Sequence, residues 1–124
     1  FIADAGGETA VRFADGNGLR LDNATSIIPR GNYTIAIRFR FDEVESYGRV
    51  INFKGDVPDT GVYVRARDLR FYNLATVDND VIAANTFVNV VLTRNAATGR
   101  VRGYVNGAPQ FNLADPSGIG IISA

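Results

Sequence analysis

The stretch Phe87-Val-Asn-Val-Val-Leu-Thr-Arg94, Asn95-Ala-Ala-Thr-Gly99, Arg100-Val-Arg-Gly-Tyr-Val-Asn-Gly107 constrains the fold more than any other part of the chain. A five-residue loop ending on glycine and an Asn-Gly pair each reverse an extended chain, because both supply residues that tolerate positive φ. Three consecutive antiparallel strands follow. In the first of them Phe87 and Val91 alternate with Val88, Val90 and Leu92, so both faces are apolar, as in the central strand of a sheet.

The rest of the chain shows the same period of two, with Gly, Asn, Asp or Pro between the runs and no sustained helical period. Val11–Ala14 and Leu19–Leu21 read as short strands joined across Asp15-Gly-Asn-Gly18. Tyr33–Phe41 is the clearest strand, with Ile35, Ile37, Phe39 and Phe41 on one face and Ala36, Arg38 and Arg40 on the other. Arg49–Lys54, Val62–Arg67, Leu69–Tyr72 and Val81–Ala83 are further strands. The last of these follows a loop over Asn73–Asp80. Ile119, Ile121 and Ile122 begin another. About ten short strands at this spacing predict an all-β chain, an antiparallel two-sheet β-sandwich or jelly roll.

At 124 residues, with 46% hydrophobic and 21% charged, the chain is expected to be one globular domain, residues 1–124. Its 13 basic and 13 acidic residues balance, which argues against a nucleic-acid partner, since phosphate neutralisation needs a basic excess. Cys, His, Met and Trp are all absent. Thiolate and imidazole chemistry, Cys/His zinc sites and Ser-His-Asp relays are therefore ruled out for these residues. No run approaches the roughly 20 apolar residues that a membrane-spanning helix needs. Because the sequence starts at Phe1, a removed leader and a longer parent chain are both expected.

Several pieces, taken in order, resemble the laminin G-like, concanavalin A-like jelly-roll modules of secreted and surface proteins. They are Ala10-Val-Arg-Phe-Ala-Asp-Gly with Leu19-Arg-Leu, Tyr33-Thr-Ile-Ala-Ile-Arg-Phe-Arg-Phe, Arg49-Val-Ile-Asn-Phe, Gly61-Val-Tyr-Val, Leu69-Arg-Phe-Tyr, Phe87-Val-Asn-Val-Val-Leu-Thr-Arg and Tyr104-Val-Asn-Gly. The resemblance covers residues 10 to 112. Phe87 stands where such modules often carry Trp, and Ile119–Ala124 is only the start of their closing part. The closing strands are therefore expected from the parent chain or from a neighbouring subunit, because an unpaired edge is prone to aggregation. The resemblance implies a secreted or cell-surface location, calcium as cofactor, and carbohydrate or an extracellular protein as partner.

Three sets of residues are candidates for chemistry. The first is Asp42-Glu43-Val44-Glu45, where Glu43 and Glu45 could share a strand face as the two carboxyls of a retaining glycan hydrolase. The third carboxylate of the related glucanases is missing there, and the segment reads as a solvated turn. Asp56, Asp59, Asp78 and Asp80 form the second set. They are oxygen ligands for calcium, set against the simpler role of turn residues that bond their own backbone.

The third set is the arginines and tyrosines at outward parity: Arg38, Arg40, Arg65, Arg67, Arg70, Arg100 and Arg102, interleaved with Tyr63, Tyr72 and Tyr104. On a single sheet they would make a surface that grips sulfate or carboxylate bidentately and stacks on sugar rings. The alternatives are a solvated face balanced by neighbouring Asp and Glu, and a face that packs on another domain or subunit. Taken together, these features predict a non-catalytic binding or adhesion module. The alternatives are a structural subunit of an extracellular filament, coat or sheath that forms homo-oligomers by strand completion and, more distantly, a glycan hydrolase.

Overall fold

In the computed structural model, residues 1–3, 6–55, 57, 60–72, 74 and 79–123 are described. The described residues are all-β apart from one turn of helix, α1 (Ala24–Ile27). A two-stranded ribbon pairs β1 (Ile2–Ala3) with β2 (Thr9–Ala10). A four-stranded antiparallel sheet has the order β3 (Tyr33–Phe39), β7 (Val88–Asn95), β8 (Arg100–Val105), β9 (Ala108–Ala114). A three-stranded antiparallel sheet has the order β4 (Gly48–Asn52), β5 (Gly61–Arg65), β6 (Asp68–Phe71). Among the described residues no helix is long and apolar enough to cross a membrane.

The two larger sheets bury a common core, as the alternation of side chains requires. Val88, Val90 and Leu92 of β7 and Val101 and Val105 of β8 face Val62 and Val64 of β5 and Leu69 and Phe71 of β6. Each such side chain removed from water contributes about 1.5–3 kcal/mol. Rings bridge the layers at two places. Tyr33 stacks on Phe53, centroids 5.9 Å apart, and Phe71 meets Phe111 edge-on at 6.2 Å. So β4 overlies the β3 side of the larger sheet and β6 overlies the β9 side.

The hairpins form where their turn residues stand. Asn106 and Gly107 adopt φ of 49° and 83° between β8 and β9, and Gly99, at φ 60°, closes the loop between β7 and β8. The β7 strand is central, as its two apolar faces require. Elsewhere the outcome differs from the sequence pattern.

Residues 11–23 hold no strand. Val11, Phe13, Leu19 and Leu21 are 42–85% exposed, because the segment pairs with no strand of either sheet and its alternation buries no face. The N-terminal pairing falls instead at β1 and β2. The Val81–Ala83 segment is not a strand either. Ile82 reaches the core at 1% exposure with Val81 packed beside it, and the Ile82 N–H bonds Arg67 O at 2.9 Å.

Residues 119–123 form turns rather than a strand. Ile122 and Ser123 donate backbone N–H groups to Arg30 O and Phe53 O, so this segment closes one end of the sandwich. On the other side Asn79 links the open edges of the two sheets. Its N–H bonds the Asp68 carboxylate of β6 at 2.8 Å and its side-chain amide donates to Gln110 of β9 at 3.0 Å.

Candidate functional site

The ten arginines and tyrosines expected on one surface divide between two opposite faces. Arg38, Arg100, Arg102 and Tyr104 lie on the outer face of the four-stranded sheet, with Arg40 just beyond the end of β3. Tyr63, Arg65 and Arg70 lie on the outer face of the three-stranded sheet, with Tyr72 at its end. Arg67 is on no strand. It sits with Ala66 in the turn between β5 and β6, both at positive φ (64° and 49°). Parity holds for the residues that lie in strands but fails for Ala66 and Arg67, expected within a strand and found in the turn, and which strands share a sheet is set by the crossovers.

On the four-stranded face the register builds lateral rows. Thr34, Thr93, Arg102 and Asn112 are successive partners across β3, β7, β8 and β9. Ala36, Val91, Tyr104 and Pro109 form the next row, shifted slightly by a bulge after Gly103. Arg102 lies between two adjoining depressions. One, of about 360 Å³, is lined by Tyr104, Pro109, Gln110 and Asn112. The other, of about 280 Å³, is lined by Thr34, Thr93, Asn95, Thr98 and Arg100. Both also include Arg102, and no carboxylate lines either among the described residues.

The two arginines at this site are held differently. Arg100 is fixed, donating from Nε to Asn112 Oδ1 at 2.6 Å and from Nη2 to Asn112 O at 2.7 Å. Arg102 is exposed and its side chain makes no hydrogen bond or ion pair among the described residues, so the guanidinium donors face solvent. At the far end of the sheet the Arg38 and Arg40 guanidiniums lie 5.1 and 5.4 Å from the Phe87 ring centroid. Phe87 is thus half-buried outside the core, clasped by cations.

The three-stranded face is arranged otherwise. Tyr63 is buried under its neighbours. Arg49 crosses its ring at 5.4 Å and donates to its hydroxyl at 3.1 Å, while Tyr47 and Tyr72 approach at 6.0 and 5.9 Å. Arg65 covers the Tyr47 ring at 4.5 Å and donates to the Tyr47 hydroxyl at 2.7 Å. Beside them Asp68 is 3% exposed. Burial works to raise its pKa, but N–H donation from Asp80 and Asn79 and the Arg70 guanidinium 3.1 Å away outweigh burial and hold the carboxyl below its usual value.

Of the calcium candidates, Asp56, Asp59 and Asp78 lie outside the described residues. Asp80 is exposed and 3.9 Å from Arg67. Among the described residues no three acidic side chains converge to hold a metal. Glu43 and Glu45 lie in the loop between β3 and β4. There the Glu43 carboxylate accepts the backbone N–H groups of Glu45 and Ser46, as a turn cap does.

Arg94 and Asp115 were missed as a pair. Parity placed Arg94 on the same face as Val90 and Leu92, and a charge at core parity demands a buried partner. Tyr47, Arg49, Thr34 and Thr93 were missed as site residues because their neighbours come from other strands. Comparison with protein-family models, with curated proteins and with solved structures finds no match to the chain.

Proposed function

We propose that the protein is a non-catalytic binding module that recognises carbohydrate on the outer face of its four-stranded sheet, in a secreted or cell-surface setting. One observation carries this: Arg102, free of any protein partner among the described residues, lies between two depressions lined by a tyrosine, amides and threonine hydroxyls. Such a set offers a ring against which a pyranose can lie and donors and acceptors for its hydroxyls. Arg102 adds a fork for a carboxylate or sulfate substituent. The segment order that resembles laminin G-like jelly-roll modules supports the same class of role. Among the described residues Asp68 and Asp115 are engaged in buried ion pairs and Glu43 by backbone donors, which favours binding over hydrolysis.

An immobilised panel of neutral and acidic glycans tests this. Wild-type protein should bind a subset, with Arg102→Ala and Tyr104→Ala each weakening the signal ~10-fold. Adding a chelator separates the calcium-dependent form of the proposal from the direct one. Absence of any glycan signal, or a signal indifferent to both substitutions, would sink it.

A structural subunit is the second reading, favoured by the exposed apolar residues Val11, Phe13, Leu19 and Leu21, which a neighbouring subunit could cover. It predicts concentration-dependent association that Leu19→Asn/Leu21→Asn abolishes.

A further inference from the structure

We propose that the outer face of the three-stranded sheet is a second recognition surface, and that it takes an extended acidic peptide segment of a protein partner with carboxylates at alternate positions. The proposal does not rest on the carbohydrate site, which lies on the opposite face.

Charge comes first. Arg49, Arg65 and Arg70 share this face and Arg67 stands in the turn at its end, while the carboxylates paired with them among the described residues are Asp68, buried and bonded to Arg70, and Asp80, beside Arg67. Arg49 and Arg65 are exposed and have no carboxylate within ion-pair distance among the described residues. Counted over the described residues, the surface therefore carries a local positive excess on a chain that is neutral overall.

Preorganisation comes second. Both guanidiniums already lie over tyrosine rings and donate to tyrosine hydroxyls. The entropy of ordering a long side chain is thus largely spent before a ligand arrives, which strengthens each fork.

Tyr63 is buried beneath Arg49, and Arg65 lies on the Tyr47 ring, which stays 52% exposed, so a planar cationic donor stands over each ring and anionic oxygen fits the surface better than a bare sugar ring. Arg and Tyr are also the residue types that protein interfaces concentrate.

Register supplies the spacing. Arg49, Tyr63 and Arg70 form one lateral row, and Arg65 with Asp68 forms the next. Successive rows on one face are about 6.7 Å apart, the same step that separates alternate side chains of an extended peptide. A peptide lying along β5 with acids at every second position would set one carboxylate by Arg65 and the next by Arg49.

The test uses a fluorescent peptide with glutamate at alternate positions and threonine between, titrated by anisotropy into the whole chain. Wild type should bind at low salt and weaken as salt rises. Arg49→Gln/Arg65→Gln should bind ~10-fold or more weakly. Arg49→Lys/Arg65→Lys, which keeps charge but loses the fork, should fall between, and Arg102→Ala should bind like wild type. An unchanged unfolding midpoint shows that the substitutions act on binding. Equal binding of a peptide with the same acids in one block overturns the alternate spacing. Failure of wild type to bind, indifference to the double glutamine variant, or tighter binding of polygalacturonate lost in that variant each overturns the proposal.

Discussion

Arg94 donates from Nε to Asp115 Oδ2 at 3.0 Å inside the sandwich, with the two side chains 5% and 0% exposed. Asp115 also accepts the N–H groups of Ile119 at 2.7 Å and Gly120 at 3.0 Å, and Arg94 donates to Gly31 O at 3.0 Å. Tyr33 donates to Gly120 O at 2.6 Å. One charge pair therefore ties the entry to β3, the end of β7 and the segment after β9.

Breaking one side of this pair leaves an uncompensated buried charge. Asp115→Ala and Arg94→Met should each lower unfolding free energy in urea by about 3–5 kcal/mol. The double variant should lose clearly less than the sum. Strictly additive losses would show that the two residues act independently.

Gly103 has no room for a side chain. A Cβ there would overlap the ring of Phe111, its partner on β9. Gly103→Ala should cost about 1–3 kcal/mol through overpacking, and Phe111→Leu in the same chain should recover part of it. A neutral Gly103→Ala, read by thermal unfolding, would mean that the ring shifts freely.

The turn between β5 and β6 is built from residues ill-suited to it. Ala66 and Arg67 both take positive φ, held by N–H bonds from Ala66 to Glu45 O and from Arg67 to Val44 O. Each costs about 1–2 kcal/mol relative to a residue at ease in the left-handed region. Ala66→Asn/Arg67→Gly should therefore raise stability by about 1–2 kcal/mol. A lowered denaturation midpoint would show that the Arg67 side chain contributes more than the strain costs.

Asp68 predicts an acid limb. Its carboxyl titrates lower in the folded chain than in the unfolded one, so between those values the unfolded state binds more protons and stability rises with pH. The contribution is full above the ordinary carboxylate value, about 4, and disappears as pH falls through the folded value. Asp68→Asn should flatten that limb of stability against pH. Tyr33 has the opposite sign. Burial is the main cause that raises its pKa, countered by Arg94, so its contribution is present below about pH 10 and lost as alkali rises. Tyr33→Phe should remove that alkaline loss.

Periodicity and turn chemistry alone determined the all-β class, the 87–107 hairpins, the central place of the 88–95 strand and the face on which each strand residue lies, because these are set within a few residues of chain. Only the tertiary structure decided which strands share a sheet. That choice split Arg100, Arg102 and Tyr104 from Tyr63, Arg65 and Arg70, since crossovers join residues far apart in sequence. It also decided against strands at 11–21, 81–83 and 119–122, whose alternation had no neighbouring strand to pair with. The pairing of Arg94 with Asp115 and the cover of Arg49 over Tyr63 belong there too. Each depends on a partner that local spacing does not name, and the low dielectric or close packing that gives the contact its strength exists only once the sheets have met.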